Sequence, residues 1–195
     1  MPLQDFVFYF KLGWEHIISL DALDHQLFIL ALVAIYSYVN LKQVLILVTA
    51  FTIGHSLTLL LSVLDIIRFD SKWIEFLIPC TIVITAISNL FRKNFSLKSI
   101  KINYFLALGF GLIHGMGFAN SIRIMLAKDQ NIGWGLFGFN LGLEAGQIFM
   151  VIIILLITFF IFNYTRIKRL SWVLFISAAV FSLALKMALE RIPFN

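Results

Sequence analysis

Six stretches of the chain stay apolar long enough to cross about 30 Å of hydrocarbon, which takes about 20 residues of helix. They lie near 24–40, 43–64, 73–91, 103–127, 134–163 and 170–189. The connectors between them are short, and no Ser/Pro/Gly-rich linker or charge block divides the chain. The pattern predicts an all-α fold: a polytopic transmembrane helix bundle of six spans in a single membrane domain over residues 1–195. Ahead of the first span, "FVFYFKLGWEHIISL" repeats Phe6, Phe10, Trp14 and Ile17 at helical spacing, with Lys11 and Glu15 at i,i+4 on another face. This predicts an interfacial helix within 1–22, lying along the membrane surface.

Composition removes the main competing classes. At 61% hydrophobic and 13% charged residues, the chain falls outside the range of soluble domains. A net charge of +5 would suit nucleic acid, but the cations sit between apolar spans rather than along one soluble face, so they are a topology signal. With six spans, Lys42, Arg92, Lys93, Lys98, Lys101, Arg166, Lys168 and Arg169 share one side without any acidic residue. The other side mixes Lys11, Arg68, Lys72, Arg123, Lys128, Lys186 and Arg191 with the acidic loop residues, Asp129 among them. Cation clustering in 92–101 and 166–169 places those connectors in the cytoplasm and both termini outside, in the inner membrane of the cell. Cys80 is the only cysteine, so any metal must rest on nitrogen and oxygen.

Ionisable groups inside a span are costly and therefore mark function. His55 lies in "FTIGHSLTLL", Glu75 in "WIEFLIPC", His114 in "GLIHGMGFAN" and Glu144 in "FNLGLEAGQ". His55, Thr58 and Ser62 share one helical face, as do Asn140, Glu144 and Gln147. Hydrogen-bonding between helices is an alternative role for Asn140, Gln147, Thr58 and Ser62. Nine of the eleven glycines fall between Gly109 and Gly146, and Gly138, Gly142 and Gly146 form a face suited to close helix packing. Under the assigned topology Asp24, His25, His55, Glu75, His114 and Glu144 all lie in the outer half of the bilayer. Three imidazoles and three carboxylates suit nickel, cobalt or zinc, as transported substrate or as cofactor. Asn140, Gln147, Ser56 and Thr58 are the supporting polar groups. His16 and Asp21, just before the first span, read either as further metal ligands in an outer receiving shell or, the reading their position favours, as solvent-exposed loop residues.

The segments "GWEHIISLDALDHQLF", "FTIGHSLTL", "WIEFLI", "SNL", "GLIHGMGFA" and "FNLGLEAGQ", in this order and across nearly the whole chain, resemble the HupE/UreJ family of small membrane proteins. The resemblance implies a six-span protein of the cell membrane, a nickel permease associated with hydrogenase or urease maturation. It also implies roles for His16, Asp24, His25, His55 and His114, together with Asn140, Glu144 and Gln147.

The expected activity is that of a permease for a divalent transition-metal ion. Two alternatives share the same ligands: an intramembrane metal-dependent hydrolase with Glu75 or Glu144 as general base, and a metal-stabilised subunit of a larger membrane complex. Expected partners are the metal ion, the lipid bilayer, and a second copy or other complex subunits, without nucleic acid. A transport route should continue inward as polar positions, and only Thr85, Ser88, Asn89 and Gln43 offer one.

Overall fold

The computed structural model describes residues 2–92, 100–126 and 132–194, with side chains for all of these but 2, 100–102, 119–121, 123–126 and 132. Lys93, Lys98, Lys128 and Asp129, and the side chains of Lys101 and Arg123, therefore lie outside the described residues. The described chain is helical without strands: α1 (Pro2–Ile18), α2 (Leu23–Val33), α3 (Leu41–Val63), α4 (Ser71–Leu90), α5 (Ile100–Leu126), α6 (Ile132–Tyr164) and α7 (Arg169–Glu190). The outward faces are apolar, with Ile53, Leu57, Ile152, Leu156 and Phe160 all exposed. That is the surface expected where lipid rather than water surrounds a bundle.

The beginning of the chain differs from the expectation in two ways. The span expected over 24–40 is helical in one piece only as α2, 11 residues long, which reaches about 16 Å and cannot cross alone. Nor does α1 lie apart as a surface helix. It packs along α6, with Tyr9 and Ile17 fully buried. A 57° bend joins α1 to α2, and the bent pair together is long and apolar enough to cross a membrane. The amphipathic pattern that suggested an interfacial helix was real, but its inner face meets protein. α3 with the turn before it, α4, α6 and α7 each meet the same length and hydropathy test singly.

The bend leaves carbonyl groups at the end of α1 without helical donors. The Gln26 side chain answers this: its Nε2 lies 3.2 Å from the Ile17 carbonyl, 3.3 Å from that of Ile18 and 2.8 Å from that of Ser19. With two hydrogens to donate, the amide shares them among three acceptors at the end of α1. At the other end of α2, Asn89 Nδ2 donates to the Ala31 carbonyl (2.7 Å) and Arg169 Nη2 to the Ile35 carbonyl (2.6 Å). The short helix is thus held by side chains at both ends and walled in by α4, α6 and α7.

Two glycine seams set the rest of the packing. Between α1 and α6, a methyl group on Gly13 would overlap the Phe139 carbonyl, and one on Gly142 would overlap the Phe10 carbonyl. Gly138 faces Phe6 and Gly146 faces Trp14 and Ile17, so the predicted glycine face of α6 is turned to α1. Between α3 and α5, Gly54 meets the Leu108 backbone and Gly111 meets the Phe51 backbone. α4 runs antiparallel to α5, Thr81 meeting His114 and Ile78 meeting Gly117. The contacts Phe6 to Phe137 and Trp73 to Phe194 bring the first and last helices to one end of the bundle. Tyr36, Asn103 and Arg169 lie at the opposite end.

These contacts fix two outcomes. Gly142→Leu should destabilise the protein by about 3 kcal/mol or more, the upper range for overpacking, because the obstacle is backbone. Gly109→Ala, where nothing lies within 4 Å, should be neutral or stabilising by up to about 1 kcal/mol. Thermal unfolding in detergent measures both, and equal midpoints would mean that the α1–α6 seam is looser than drawn. Gln26→Leu should cost about 2–3 kcal/mol by the same assay, since it strands buried carbonyls.

Candidate metal centre

The bend and the seams bring four helices to one point. His16 closes the last turn of α1, His25 opens α2, and His55 and His114 come from the middle of α3 and α5. Ring centroids lie 4.7 Å apart for His16 and His25, 6.0 Å for His16 and His55, 6.0 Å for His25 and His55, and 5.0 Å for His25 and His114. His16, His25 and His55 each offer one nitrogen such that all lie within 4.8 Å of one another. Ligand nitrogens about 2.1 Å from a tetrahedral zinc-type ion would stand about 3.4 Å apart, a closure that imidazole rotation supplies.

Hydrogen bonds settle which lone pairs face the centre. Asp24 Oδ1 is 3.0 Å from His25 Nδ1, and a carboxylate accepts, so Nδ1 carries the proton and Nε2 keeps its lone pair. Asp24 Oδ1 also accepts from the His25 backbone N–H at 2.8 Å. Thr81 gives its one hydroxyl hydrogen to the Ile78 carbonyl at 2.7 Å and lies 3.2 Å from His114 Nε2. It therefore accepts from Nε2–H, and His114 Nδ1 is the free base. His16 Nε2, His25 Nε2, both nitrogens of His55 and His114 Nδ1 are buried without a hydrogen-bond partner. An unsatisfied buried polar group costs about 1–3 kcal/mol. One of the two His55 nitrogens carries its proton, so at most four of these five atoms offer lone pairs, a set suited to holding a cation.

Around the rings stands an aromatic wall. Phe118 lies 4.2 Å from His16, Phe51 lies 5.1 Å from His114, and Phe28 lies 5.4 Å from His114, centroid to centroid. A cavity of about 180 Å³ reaches the cluster from the termini-bearing end, touching His16, His25, His114 and Asp24. Asp21, Glu75 and Arg191 line it as well; Asp21 and Glu75 are exposed.

The expected site residues fall into three groups. Asp24, His25, His55 and His114 converge. His16 converges with them rather than standing in an exposed loop, because α1 enters the bundle and ends there. Asp21 and Glu75 sit in the approach to the rings, not among them. Glu144 is turned elsewhere: it accepts from the Thr49 hydroxyl at 2.7 Å on a partly exposed face between α3 and α6. The helix rotation that packs the α6 glycines on α1 carries Glu144 toward α3 and away from the rings.

The supporting polar groups bond mostly to backbone and to one another. Gln147 Oε1 accepts from Thr52 at 2.7 Å, Ser56 donates to the Thr52 carbonyl at 2.7 Å, and Thr58 lies 3.2 Å from the Gly54 and His55 carbonyls. Asn140 Oδ1 is buried without a partner. Sequence reasoning passed over Thr81, Gln26 and Arg191. Thr81 had a usable signal, since it begins an i, i+4, i+7 series of hydroxyls with Thr85 and Ser88 on α4. Gln26 had none, because its partners are carbonyls exposed only by the bend.

No curated protein and no solved structure matches the chain. The HupE / UreJ protein family, by contrast, matches over residues 1–191, nearly the full length. With its apolar helices, this is a multi-pass membrane protein, and the chain belongs to the HupE/UreJ family.

Proposed function

We propose that the protein is a permease for a divalent transition-metal ion, nickel, cobalt or zinc, which it captures on His16, His25, His55 and His114 with Asp24 behind His25. The HupE/UreJ family is associated with transport of nickel and cobalt. The observation that carries the reading is the trio His16, His25 and His55, whose nitrogens lie within 4.8 Å of one another, with His114 beside His25 and a buried nitrogen without a hydrogen-bond partner on each of the four rings. Imidazole nitrogen suits these ions, and Asp24 orients His25 as carboxylates orient metal-binding histidines elsewhere. The carboxylate also offsets part of the charge that a divalent ion brings into a low-dielectric site. Asp21 and Glu75 attract cations into the approach cavity.

The bent α1/α2 pair and α3 to α7 make six crossings in this reading, with both termini outside the cytoplasm and the end bearing Arg92, Lys168 and Arg169 inside, in the inner membrane. The protein is one membrane domain. In this reading the ion is substrate rather than resident cofactor, and the cavity that leads to the rings from one side is its entry.

His25→Gln, His55→Gln and His114→Gln should each weaken equilibrium metal binding by more than the ~10–100-fold typical of losing a supporting group. Thr81→Val should fall within that ~10–100-fold range, since it removes only the partner of His114. Glu144→Gln should bind as wild type does. Titration calorimetry on purified protein reads all five, and a Glu144→Gln variant that loses binding, or histidine variants that keep it, would refute the site. Protons compete with the metal for the same lone pairs, so affinity should rise steadily from about pH 5.5 to about pH 8. A pH-independent affinity would count against histidine ligation. Metal analysis after purification without added metal separates cargo from cofactor: an ion lost on dilution is cargo, and tight stoichiometric retention overturns the permease.

A further inference from the structure

A second cavity lies directly beyond the histidines, on the side away from the first. It holds about 40 Å³, room for a few waters, since one needs about 10–15 Å³. Its lining is largely apolar, with Leu32, Ile84, Leu106 and Phe110, and carries Thr85, Ser88, Asn89 and Asn103 as polar groups. The same three helices, α2, α4 and α5, contribute to both cavities. On α5, His114 borders the first cavity and Phe110 the second; they are one turn apart on one face, a step of about 6 Å. On α4 the two linings are separated from Ile78 to Ile84 and on α2 from His25 to Leu32, so the partition is one to two helical turns of side chains.

The composition of that partition is specific. Phe28, at 1% exposure, lies 5.9 Å from Phe110 and 5.4 Å from His114, centroid to centroid. Beside this aromatic pair runs a strip of hydroxyls on α4. Ile78 borders the first cavity, Thr81 contacts both the Ile78 carbonyl and His114, Thr85 donates to the Thr81 carbonyl at 2.8 Å, and Ser88 reaches the second cavity. Oxygens therefore continue from the histidine site past the aromatic pair along α4. An ion leaving imidazole nitrogens could exchange them for hydroxyl and water oxygens there, while Phe28 and Phe110 exclude water from the direct line. Arg92 stands at the mouth of this cavity.

We infer that the second cavity is the exit half of the permeation path and that Phe28 and Phe110 form its gate, a hydrophobic constriction of the kind that blocks ions by dewetting. The inference rests on the permease reading. α2 is the element suited to open the gate, since breaks in the helix flank it on both sides and Phe28 projects from it.

The test uses full-length protein in liposomes, with nickel uptake followed by an internal indicator and equilibrium nickel binding measured in parallel. Phe110→Ala should raise nickel flux several-fold and reduce its saturation, with binding close to wild type. Thr85→Val, nearly isosteric, should slow flux several-fold, again with binding retained. In a Cys80→Ser background, Ser88→Cys, an exposed position that folding tolerates, should react with a membrane-impermeant thiol reagent only from the Arg92 side. The modification should block flux. Transport by labelled Ser88→Cys at the unlabelled rate, or Phe110→Ala and Thr85→Val fluxes equal to wild type, would overturn the exit path while leaving the histidine site standing. A wild type that binds no nickel would overturn both.

Discussion

A helix that stops within a bundle leaves its last carbonyl groups in need of donors, and this protein is arranged around one such ending. The Gln26 amide shared among the carbonyls of Ile17, Ile18 and Ser19 allows α1 to stop in mid-bundle and α2 to leave at a 57° angle. Each unsatisfied group there would cost several kcal/mol in an apolar medium. Without the bend, a continuous helix would carry His16 and His25 along a straight axis, nine residues apart and about 13 Å from each other. With it, their rings lie 4.7 Å apart. The polar repair of the backbone and the assembly of the site are therefore one event in the fold.

Close helix approach supplies the remaining histidines. Gly54 and Gly111 let α3 and α5 meet backbone to backbone, which sets His55 and His114 at one level facing α2. Gly13 and Gly142 do the same for α1 and α6, delivering His16 to the cluster and Phe139 to its wall. Aromatic rings from α2, α3, α5 and α6 then surround the nitrogens.

A permease needs a site that holds its ion and a way to release it. Here the tautomers of His25 and His114 are set by Asp24 and Thr81, so the nitrogens that keep their lone pairs are fixed before an ion arrives. Thr81 also begins the hydroxyl strip of α4, so one residue serves both the site and the proposed departure from it. The far end of α2 is held by Asn89 and Arg169, while its near end carries the ligand His25. A small tilt of this 11-residue helix would change ligation and the Phe28–Phe110 contact together, which couples release to opening.

Long apolar runs broken by cationic connectors determined on their own that the chain is an all-helical membrane protein, because burying backbone in lipid leaves helices as the economical solution for such lengths. The placement of His25, His55, His114 and Asp24 at one level was equally legible, since depth follows from counting residues along straight helices. The packing face of α6 could be read from the four-residue spacing of Gly138, Gly142 and Gly146. Rotation and breakage could not. Glu144 shares the depth of the histidines, yet the turn of α6 about its axis points it at Thr49, and that turn depends on which neighbour the glycines meet. His16 looked like an exposed loop residue because nothing in "GWEHIISLDALDH" announces that α1 enters the bundle. Its amphipathic pattern is the same whether the apolar face meets lipid or protein. Only tertiary contacts, Gly13 against Phe139 and Gln26 against the carbonyls that end α1, decided between the two.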